Sequence, residues 1–424
     1  MNNNDKSKTL FTNVKVWDGL ANNPTAPTKV LVEGNLIKSI GPDVQVDAEA
    51  MVIDGGGRVL IPGLIDAHWH VTYSQLGEAE ALQSDVEMIT IKGVVGAEPT
   101  LMRGFTTVRD MGGNTFSIKK AIDRGMIVGP RIYPSGPPIA QTSGHFDFRG
   151  PNDVPTNPTD PLSYLERNAV IMVADGVPEM IKRVREVLRL GATQIKLATG
   201  AGVSSAYDPL DAAEFTYEEI KAAVDIAATW NTYVAVHVFT DKAIQNSVRA
   251  GVKSIEHGFL MNEETMQMLV DNDVWYCPQP LLNDEDAFSF PDPFTHQKWV
   301  EVTDGTDNVY RLAKKLGVKL AWGTDFVFTP ELNPKQGKFL AKMKRWFTPH
   351  EILKMATSTN AELVKLCGPR DPYPGKLGVV EEGALADLIL VDGNPLENID
   401  LVVDPDSNFK VIMKDGQVYK NTVN

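Results

Sequence analysis

Hydrophobic and polar residues alternate along residues 60–71 (LIPGLIDAHWHV), as they do on a strand with two different faces. One face carries only apolar side chains, at Ile65, Ala67, Trp69 and Val71. The other carries a carboxylate and two imidazoles, at Asp66, His68 and His70. Burying such a face is costly unless its groups have partners, and neutral imidazole is the commonest protein ligand for transition metals. The pattern predicts either a metal site or two histidines at the edge of a core.

Both ends of the chain show a strand-and-turn pattern. Near the N-terminus the predicted strands cover 9–17, 29–33, 36–40 and 51–54, separated by Asp-Gly, Glu-Gly, Gly-Pro and Gly-Gly turns. Near the C-terminus, 386–392 and 411–419 are again strand-like, with a turn at DGNP. Two all-β ends around a different middle predict one small β-sandwich domain built from both termini, comprising residues 1–59 and 371–424.

The middle of the chain, residues 60–370, alternates strand-like and helix-like segments. Predicted strands cover 60–71, 105–111, 131–136, 194–199, 233–239, 253–258, 273–279 and 318–325. Helices are predicted over 177–190, with Pro178 in the first turn and Gly191 after the end, and over 216–227, with Thr216 and Glu219 in capping-box spacing. Eight strands alternating with helices predict an α/β fold, a (β/α)8 TIM barrel. The long loop 137–175 would lie on its active-site face.

Polar residues interrupt several of these apolar strands near their C-terminal ends, which is the catalytic end of a barrel. They are His68 and His70 on the first strand, Lys196 on the fourth, His237 on the fifth, His257 on the sixth and Asp325 on the eighth. Imidazoles and a carboxylate together suit a divalent metal of the zinc type. Each residue alone could be structural, as a core histidine, a paired lysine or a helix N-cap. Their joint placement at five strand ends favours a shared site.

Lys196 looks unsuited to a metal site, because an ammonium group has no lone pair. Burial next to cations disfavours the ammonium form, so we expect its pKa to fall. A neutral amine can add CO2 and become a carbamate, which is an anionic bridging ligand. Lys196 would then hold two metals about 3.5–4 Å apart. The two ions would share a hydroxide at near-neutral pH.

The whole chain resembles the amidohydrolase superfamily in its binuclear form with a carboxylated lysine. The resemblance rests on PGLIDAHWH (62–70), GFTTVRD (104–110), Lys196, His237, SIEHG (254–258), GTD (323–325) and the tail segments 376–378 and 383–388. The segments QTSGH (141–145) and ATGAGVSS (198–205), with Asp208-Pro209, resemble the imidazolonepropionase-related branch. That branch includes prolidase-like Xaa-Pro and Xaa-Arg carboxypeptidases and ochratoxin-hydrolysing amidases.

The resemblance implies a role for each matching residue. It places His68, His70 and Asp325 on one divalent ion and His237 and His257 on a second, with carboxylated Lys196 as the bridge. Asp325 would also take the proton of the bridging hydroxide and pass it to the leaving amine. His145 would donate a hydrogen bond to the developing oxyanion. Zinc is the expected metal, although manganese and cobalt also fit such ligands. His296 and His350 match no family position and are expected to be structural or solvent-exposed.

One position departs from the carboxypeptidase pattern. Several relatives of that type have a tyrosine two residues after the histidine of the fifth strand, suited to binding a substrate α-carboxylate. Here the position is Phe239, which has no hydroxyl group. Either another group binds the carboxylate, with Tyr207 and Arg149 as loop candidates, or the substrate differs.

Composition narrows the classes of partner. The 424 residues are 43% hydrophobic and carry a formal net charge of −14, which argues against a nucleic-acid or anionic-membrane partner. The two cysteines, Cys277 and Cys367, provide no disulfide framework and are expected to be buried apolar residues. No stretch has the length of a transmembrane helix. The polar N-terminus lacks a signal peptide, which predicts a cytoplasmic protein, or a secreted or periplasmic one if a leader was removed.

These observations predict a metal-dependent hydrolase that cleaves the amide bond of N-acyl amino acids or peptides. One alternative is hydrolysis of cyclic amides or lactones, or deamination, as in mononuclear relatives; Lys196 argues against it, because one metal needs no bridge. The other is a catalytically inactive scaffold barrel, although such chains lose ligands and this one retains all six. The resemblance also implies a homo-oligomer, with an octamer as one possible size. It leaves the acyl group and the released amino acid open.

Overall fold

The computed structural model describes residues 7–45, 49–150, 152–156, 160–205, 207–288, 290 and 292–423. The strands are β1 (Lys8–Val16), β2 (Thr28–Glu33), β3 (Leu36–Ile40), β4 (Met51–Asp54), β5 (Val59–Pro62), β6 (Leu64–Trp69), β7 (Phe105–Asp110), β8 (Arg131–Pro134), β9 (Ile139–Ala140), β10 (Met172–Val173), β11 (Ile195–Ala198), β12 (Val234–Thr240), β13 (Ser254–Leu260), β14 (Trp275–Cys277), β15 (Leu388–Val391), β16 (Phe409–Lys414) and β17 (Gln417–Asn421). The α-helices are α1 (Glu78–Gln83), α2 (Val86–Met102), α3 (Phe116–Asp123), α4 (Tyr164–Arg167), α5 (Val177–Leu190), α6 (Tyr217–Thr229), α7 (Asp241–Ala250), α8 (Glu263–Asp271), α9 (Pro293–Asp304), α10 (Thr306–Leu316), α11 (Gln336–Lys342), α12 (Pro349–Lys354), α13 (Asn360–Val364) and α14 (Pro405–Asn408). Short 3-10 helices cover Tyr73–Gln75, Pro330–Lys335, Met343–Arg345, Lys365–Arg370 and Ile399–Val402, and a π-helical turn covers Met355–Thr359.

Some sequence predictions fall on residues outside these ranges. Residues 1–6 include most of the polar N-terminus from which the absence of a signal peptide is predicted. Residues 151 and 157–159 belong to the long loop 137–175, and residue 206 belongs to the segment that follows β11. In the described part of the chain, no helix combines the length and the apolar character needed to cross a bilayer.

Both ends of the chain contribute to one eight-stranded sheet. Its strand order is β17-β16-β15-β5-β1-β2-β3, and β4 pairs parallel with residues 9–12 of β1. The C-terminal strand β15 pairs antiparallel with β5, which itself pairs parallel with β1. A separate hydrophobic cluster lies in this part of the molecule and draws residues such as Phe11, Val32, Leu388 and Val411 from both ends. Strands from both ends of the chain therefore lie in one sheet. The β-sandwich domain built from both termini stays a prediction.

The single strand predicted over 60–71 is wrong in its extent. Residues Val59–Pro62 form β5 and pair with Leu388–Val391 in the terminal sheet, whereas Leu64–Trp69 form β6 and pair with β7. The break falls at Pro62 and Gly63. A Cβ atom at Gly63 would lie 2.2 Å from Thr106 Oγ1, so only glycine allows the chain to pass this close to β7. The chain therefore passes from the terminal sheet to the sheet of β6 at Gly63, before it reaches Asp66, His68 and His70.

The middle of the chain forms two parallel sheets with helices between their strands. One sheet has the order β6-β7-β8 and the other β10-β9-β11-β12-β13-β14. Residues 318–325, predicted as the eighth strand, form a single bridge at Leu320 to Tyr276 rather than a regular strand. Their backbone still contacts both sheets, through Ala321 N to Tyr276 O (2.8 Å) on one side and Asp325 N to His68 O (2.8 Å) on the other. This segment links β14 to β6.

The two helices predicted in detail are confirmed. Helix α5 covers Val177–Leu190 and ends at Gly191, which adopts φ +113°, a left-handed conformation suited to glycine. Helix α6 covers Tyr217–Thr229 and begins with the expected capping box. The Thr216 hydroxyl accepts a hydrogen bond from Glu219 N, and the Glu219 carboxylate accepts one from Thr216 N at 2.7 Å.

Candidate metal centre

Five of the six polar residues predicted at the strand ends lie around one cavity, and the sixth, His70, is absent from its described lining but contacts Asp325. His68, Lys196, His237, His257 and Asp325 all line it. The histidines and the lysine are at most 5% exposed, and the Asp325 side chain is 16% exposed. His257 and Asp325 have positive φ values of 72° and 55°, an unfavourable conformation for these residues that costs free energy unless the surroundings impose it. Such strain is common at functional sites.

The Asp325 carboxylate is the centre of this group. Its Oδ1 lies 3.2 Å from His68 Nε2 and 3.0 Å from His70 Nε2, and its Oδ2 lies 3.7 Å from His257 Nδ1. Although burial opposes it, the adjacent His68 and the hydrogen bonds from His68 and His70 hold the pKa of Asp325 well below its ordinary value. The carboxylate is therefore ionised and available as an oxygen ligand or as a proton acceptor.

Three histidines are oriented by a second hydrogen bond on the ring. His68 Nδ1 lies 2.8 Å from Glu256 Oε2, His257 Nδ1 lies 2.7 Å from Gln279 Oε1, and His237 Nε2 donates to Ala201 O at 3.0 Å. A ring nitrogen that donates to such an acceptor leaves the other nitrogen with its lone pair, which is the arrangement found in metal-binding histidines. Burial lowers the pKa of His257 to about 3 and lowers that of His237 well below its ordinary value, so both rings are neutral.

Lys196 lies on β11 and lines the same cavity as these histidines. It is 1% exposed, and its Nζ has no hydrogen-bond partner among the described residues. Burial lowers the pKa of Lys196 to about 8, so a substantial fraction of the amine is neutral near physiological pH. A buried amine without a partner is costly in a protein interior, which indicates a partner or a modification that the amino-acid sequence does not itself contain.

The residues present fit a divalent metal. The ligand atoms of His68, His70 and Asp325 lie within 4.8 Å of one another. The rings of His237 and His257 are 4.5 Å apart between centroids at an angle of 63° and form a second pair of nitrogen ligands beside Lys196. Nitrogen ligands with one carboxylate suit zinc, manganese or cobalt. His68, Glu256 and Cys277 also lie close together, but both Glu256 oxygens accept hydrogen bonds from Arg109, which accounts for that cluster.

Sequence reasoning missed the buried ion pair behind His68. Arg109 Nη2 donates to both oxygens of Glu256 at 2.9 and 2.8 Å, and both side chains are fully buried. Although burial opposes ionisation of Glu256, Arg109 and His68 keep its pKa well below the ordinary value. Charged residues within the apolar strands β7 and β13 were the available signal. Their pairing between strands of the two parallel sheets could not be derived from spacing.

His145 lies against His237, one of the candidate metal ligands. Its ring stacks on His237 with 4.0 Å between centroids, and its Nδ1 is 2.9 Å from Ser205 Oγ. Its backbone N donates to both carboxylate oxygens of Glu214, which fixes this part of the loop. Burial lowers the pKa of His145 to about 4, so the ring is neutral. The structure therefore brings His145 to the cavity, as the sequence predicts.

The candidate substrate contacts divide into two groups. Phe239 lines the cavity, with its ring 5.0 Å from that of His237. Tyr207 and Arg149 are absent from the described lining; Tyr207 is 61% exposed, and the Arg149 guanidinium pairs with Asp147 through Nε at 2.9 Å. His296 is exposed on α9, and the half-buried His350 contacts Leu20 O and the Trp17 ring, so neither belongs to the site.

Comparison with known proteins agrees with this geometry. A family model described as the amidohydrolase family matches residues 59–424. An ochratoxinase from Aspergillus niger is 32% identical over 381 residues, which cover 85% of this chain and 76% of the relative. A crystal structure of a prolidase complexed with N-methylphosphonate-L-proline superposes with a TM-score of 0.89 at 31% identity, covering 98% of this chain and 100% of the other. A Xaa-Pro dipeptidase with bound methionine in the active site gives a TM-score of 0.84 at 31% identity, with the same coverage.

Proposed function

Because the chain belongs to the amidohydrolase family and is a hydrolase acting on amide bonds, we propose that it uses two divalent cations to cleave N-acyl amino acids or peptides. One observation carries the proposal. Side chains from four strands and from the segment 318–325 meet in one cavity, and three of the histidines have their ring orientation fixed by a second hydrogen bond.

The proposed ligand sets follow the two groups of side chains. His68, His70 and Asp325 would hold one ion, and His237 and His257 would hold the other. Lys196 would bridge them as a carbamate: the amine nitrogen bonds to the carbon of CO2 and releases one proton, which leaves an anionic group with two oxygen ligands. Its place in the same cavity lining as members of both sets and the lack of a partner for Nζ support this role. Two such ions, zinc being the expected metal, would polarise the substrate carbonyl and lower the pKa of a shared water.

Two side chains would act directly on the reacting atoms. The Asp325 carboxylate would accept a proton from the attacking water and return it to the leaving nitrogen. His145 would donate a hydrogen bond to the carbonyl oxygen as negative charge develops there. If the Ser205 hydroxyl donates to His145 Nδ1, the neutral ring carries its proton on Nε2, and that N–H is the donor toward the substrate.

The scaffold we propose is a closed eight-stranded barrel at residues 63–370, with the terminal sheet as a second domain. The backbone contacts of the segment 318–325 to both β14 and β6 support closure on one side. On the other side, Thr193 N donates to Pro134 O at 2.8 Å, which joins the ends of β8 and β11. Because β5 pairs with β15, the boundary moves from residue 60 to residue 63.

The test combines metal counting with a substrate panel. The full chain, loaded with zinc in bicarbonate buffer, should bind two ions and release amine or amino acid from N-acyl amino acids, from Xaa-Pro and Xaa-Arg dipeptides, or from aromatic amides of phenylalanine such as ochratoxin A. His237→Ala should lose one ion and the activity, whereas His296→Ala, an exposed histidine, should keep both. Two bound ions with no amide hydrolysed would contradict the amide substrate and favour cyclic amides or lactones. A chain that binds no metal at neutral pH would be a scaffold.

A further inference from the structure

The segment that follows β14 forms part of the cavity wall. Residues 281–288, which we call the wall segment, contribute Leu281 and Phe288 to the lining that also contains His257. Leu281 is 6% exposed, and the Phe288 ring stacks on Trp299 of α9 with 5.0 Å between centroids. All eight residues are described, and none of them lies in a helix or a strand. The position of this apolar wall therefore depends on how an irregular segment is held.

The backbone of the wall segment makes few hydrogen bonds to the rest of the chain. Among the described residues, Ala287 N donates to Asp284 O at 3.0 Å and Asp286 N donates to Asp284 Oδ1 at 3.0 Å, so both bonds stay within the segment. At its first residue, Leu281 O accepts a hydrogen bond from the Thr306 hydroxyl at 2.7 Å. A segment with so few backbone bonds opens at a lower free energy than a strand or helix, unless side chains hold it.

The Asp286 carboxylate is the most buried polar anchor of the wall segment. Its side chain is 1% exposed, and three ammonium groups surround it. Lys335 Nζ lies 2.9 Å from Oδ1, and Lys338 Nζ and Lys342 Nζ lie 2.7 and 3.1 Å from Oδ2. Although burial opposes ionisation, hydrogen bonds from these lysines hold the pKa of Asp286 well below its ordinary value. The buried carboxylate is therefore charged, and its partners compensate its removal from water.

Two neighbouring carboxylates extend the network. Lys342 Nζ lies 2.8 Å from Asp284 Oδ2, and Lys338 Nζ lies 3.2 Å from Glu285 Oε1. Three consecutive acidic residues of the wall segment thus pair with three lysines, and we call these six residues the lysine clasp. The side chains of Asp284 and Glu285 are 27% and 74% exposed. Isolated exposed ion pairs contribute little, whereas a network around a buried carboxylate can hold two segments together.

The lysines of the clasp belong to a part of the chain that is tied to the strand of His68. They lie at the end of the 3-10 helix Pro330–Lys335 and on α11. Between them, the buried Gln336 donates from Nε2 to Asp66 Oδ2 at 2.9 Å, and Asp66 Oδ1 accepts from His68 N at 3.1 Å. The clasp therefore joins an irregular wall to a segment that is fixed beside a candidate metal ligand.

We propose that the lysine clasp, through the buried Asp286, holds the wall segment in place and thereby sets the affinity of the cavity for its substrate. The proposal rests on the proposed amide hydrolysis and adds positioning residues to that site. Asp286 acts through Leu281 and Phe288, whose side chains line the cavity. Apolar contacts of a wall stabilise the bound substrate and the transition state alike, so their loss should raise KM with little change in kcat.

Asp286→Asn removes the buried charge and keeps the shape of the side chain. With the zinc-loaded full chain and the amide that it hydrolyses best, KM should rise about tenfold, whereas kcat should change less than about twofold. Amide hydrogens of residues 282–288 should exchange faster, with little change in β11. Asp286→Glu keeps the charge and should restore part of both effects. Glu263→Gln breaks an exposed ion pair with Lys315 and should change neither measurement.

A second variant tests the same contact from the other side. Lys338 is 35% exposed, so Lys338→Met should fold and should raise KM severalfold. Combined with Asp286→Asn it should add little, because both changes remove one interaction. Unchanged exchange of residues 282–288 in Asp286→Asn, a fall in kcat at constant KM, or full additivity of the two variants would overturn the proposal. If no amide is hydrolysed although two metals are bound, the proposed function fails, and the exchange measurement decides whether the clasp holds the wall.

Discussion

The amine of Lys196 has a different chemistry in the fold from the one it would have on a surface. Apolar neighbours on β11 and the surrounding strands remove it from water, and its Nζ has no partner among the described residues. The interior destabilises the charged ammonium, whereas an anionic carbamate between two cations would be stabilised by charge. As a carbamate, Lys196 would be suited to binding cations, which a charged ammonium group cannot do.

Lys196→Ala should abolish amide hydrolysis and lower the metal content, because the bridging anion is lost. Short carboxylic acids such as acetate or propionate should restore part of the activity by occupying the same position. A carbon NMR spectrum of protein incubated with labelled bicarbonate should show a carbamate signal in the unmodified chain and none in the variant. Lys182→Ala, an exposed lysine on α5, serves as the control. Full activity of Lys196→Ala would refute the bridging role.

Glu256 is a positioning residue that acts through His68. In Glu256→Gln the ring of His68 loses its anionic partner, and the affinity for metal should fall about 10–100-fold in chelator competition. The variant also leaves Arg109 buried without an opposite charge, which should lower the free energy of unfolding by about 3–5 kcal/mol. Glu218→Gln, an exposed residue, should change neither quantity.

A double variant separates the two effects. Arg109→Met combined with Glu256→Gln removes both charges, so most of the stability should return. The metal affinity should stay low, because His68 still lacks its carboxylate. Recovery of both quantities together would show that Glu256 acts on stability alone.

The side chains that meet at the cavity could be predicted from the sequence, whereas their supporting residues could not. His68, His237 and His257 stand out because each is a polar residue within an apolar strand, and strand ends converge in a barrel. Arg109 and Glu256 are equally polar and equally buried. They pair with each other because the fold brings their strands together, and the sequence does not give that distance. Tyr207 and Arg149 were selected for their chemistry alone, and the loop conformation places one in solvent and pairs the other with Asp147.

At the level of elements, helix ends were predicted well and strand ends less well. The boundaries of α5 and α6 depend on Gly191 and on the Thr216 capping box, which are local signals. The extent of β6 depends on which partner strand accepts its backbone hydrogen bonds, and Val59–Pro62 find theirs in β15, more than 300 residues away in sequence. The segment 318–325 also has the composition of a strand, but Gly323 packs against His68 and Asp325 turns into the left-handed region.

Helix α9 holds the segment that follows β11 through one side chain. Lys298 Nζ donates to the carbonyl oxygens of Gly202, Ser205 and Asp208, and the same segment contacts His145 and His237 through Ser205 Oγ and Ala201 O. Lys298 is 4% exposed, so the carbonyl groups that it contacts have little access to water. Lys298 therefore links α9 to the segment that fixes the positions of His145 and His237.

Lys298→Met should loosen this segment, because three buried carbonyl groups lose their donor. We expect kcat/KM to fall about tenfold and amide hydrogens of residues 200–205 and 207–208 to exchange faster, with little change in exchange elsewhere. Lys315→Met on α10 removes an exposed lysine that pairs with Glu263 and should leave both measurements unchanged. Unchanged exchange in Lys298→Met would show that other contacts, such as Gly202 N to Asp208 Oδ2, hold the segment.

At the level of the whole molecule, the surface of α2 is more apolar than a solvent-exposed helix normally is. Met88, Ile91 and Val95 are 44%, 55% and 65% exposed and follow one another at spacings of three and four residues, so they share one face of the helix. A contiguous exposed apolar stripe indicates a contact surface. The sequence resemblance predicts a homo-oligomer, and a second copy of this chain is the partner that such a stripe would fit.

Charged residues on this stripe should separate the copies. Ile91→Asp with Val95→Asp places two carboxylates where the apolar contact would form, and burying them there would be costly. Light scattering coupled to size-exclusion chromatography should show the unmodified chain at a multiple of its monomer mass and the double variant at the mass of one chain. Met126→Asp changes an apolar residue that is 72% exposed outside α2 and should keep the larger mass. A monomeric unmodified chain, or a double variant that stays assembled, would refute α2 as the contact; activity that survives in a monomeric double variant would show that one chain holds the complete site.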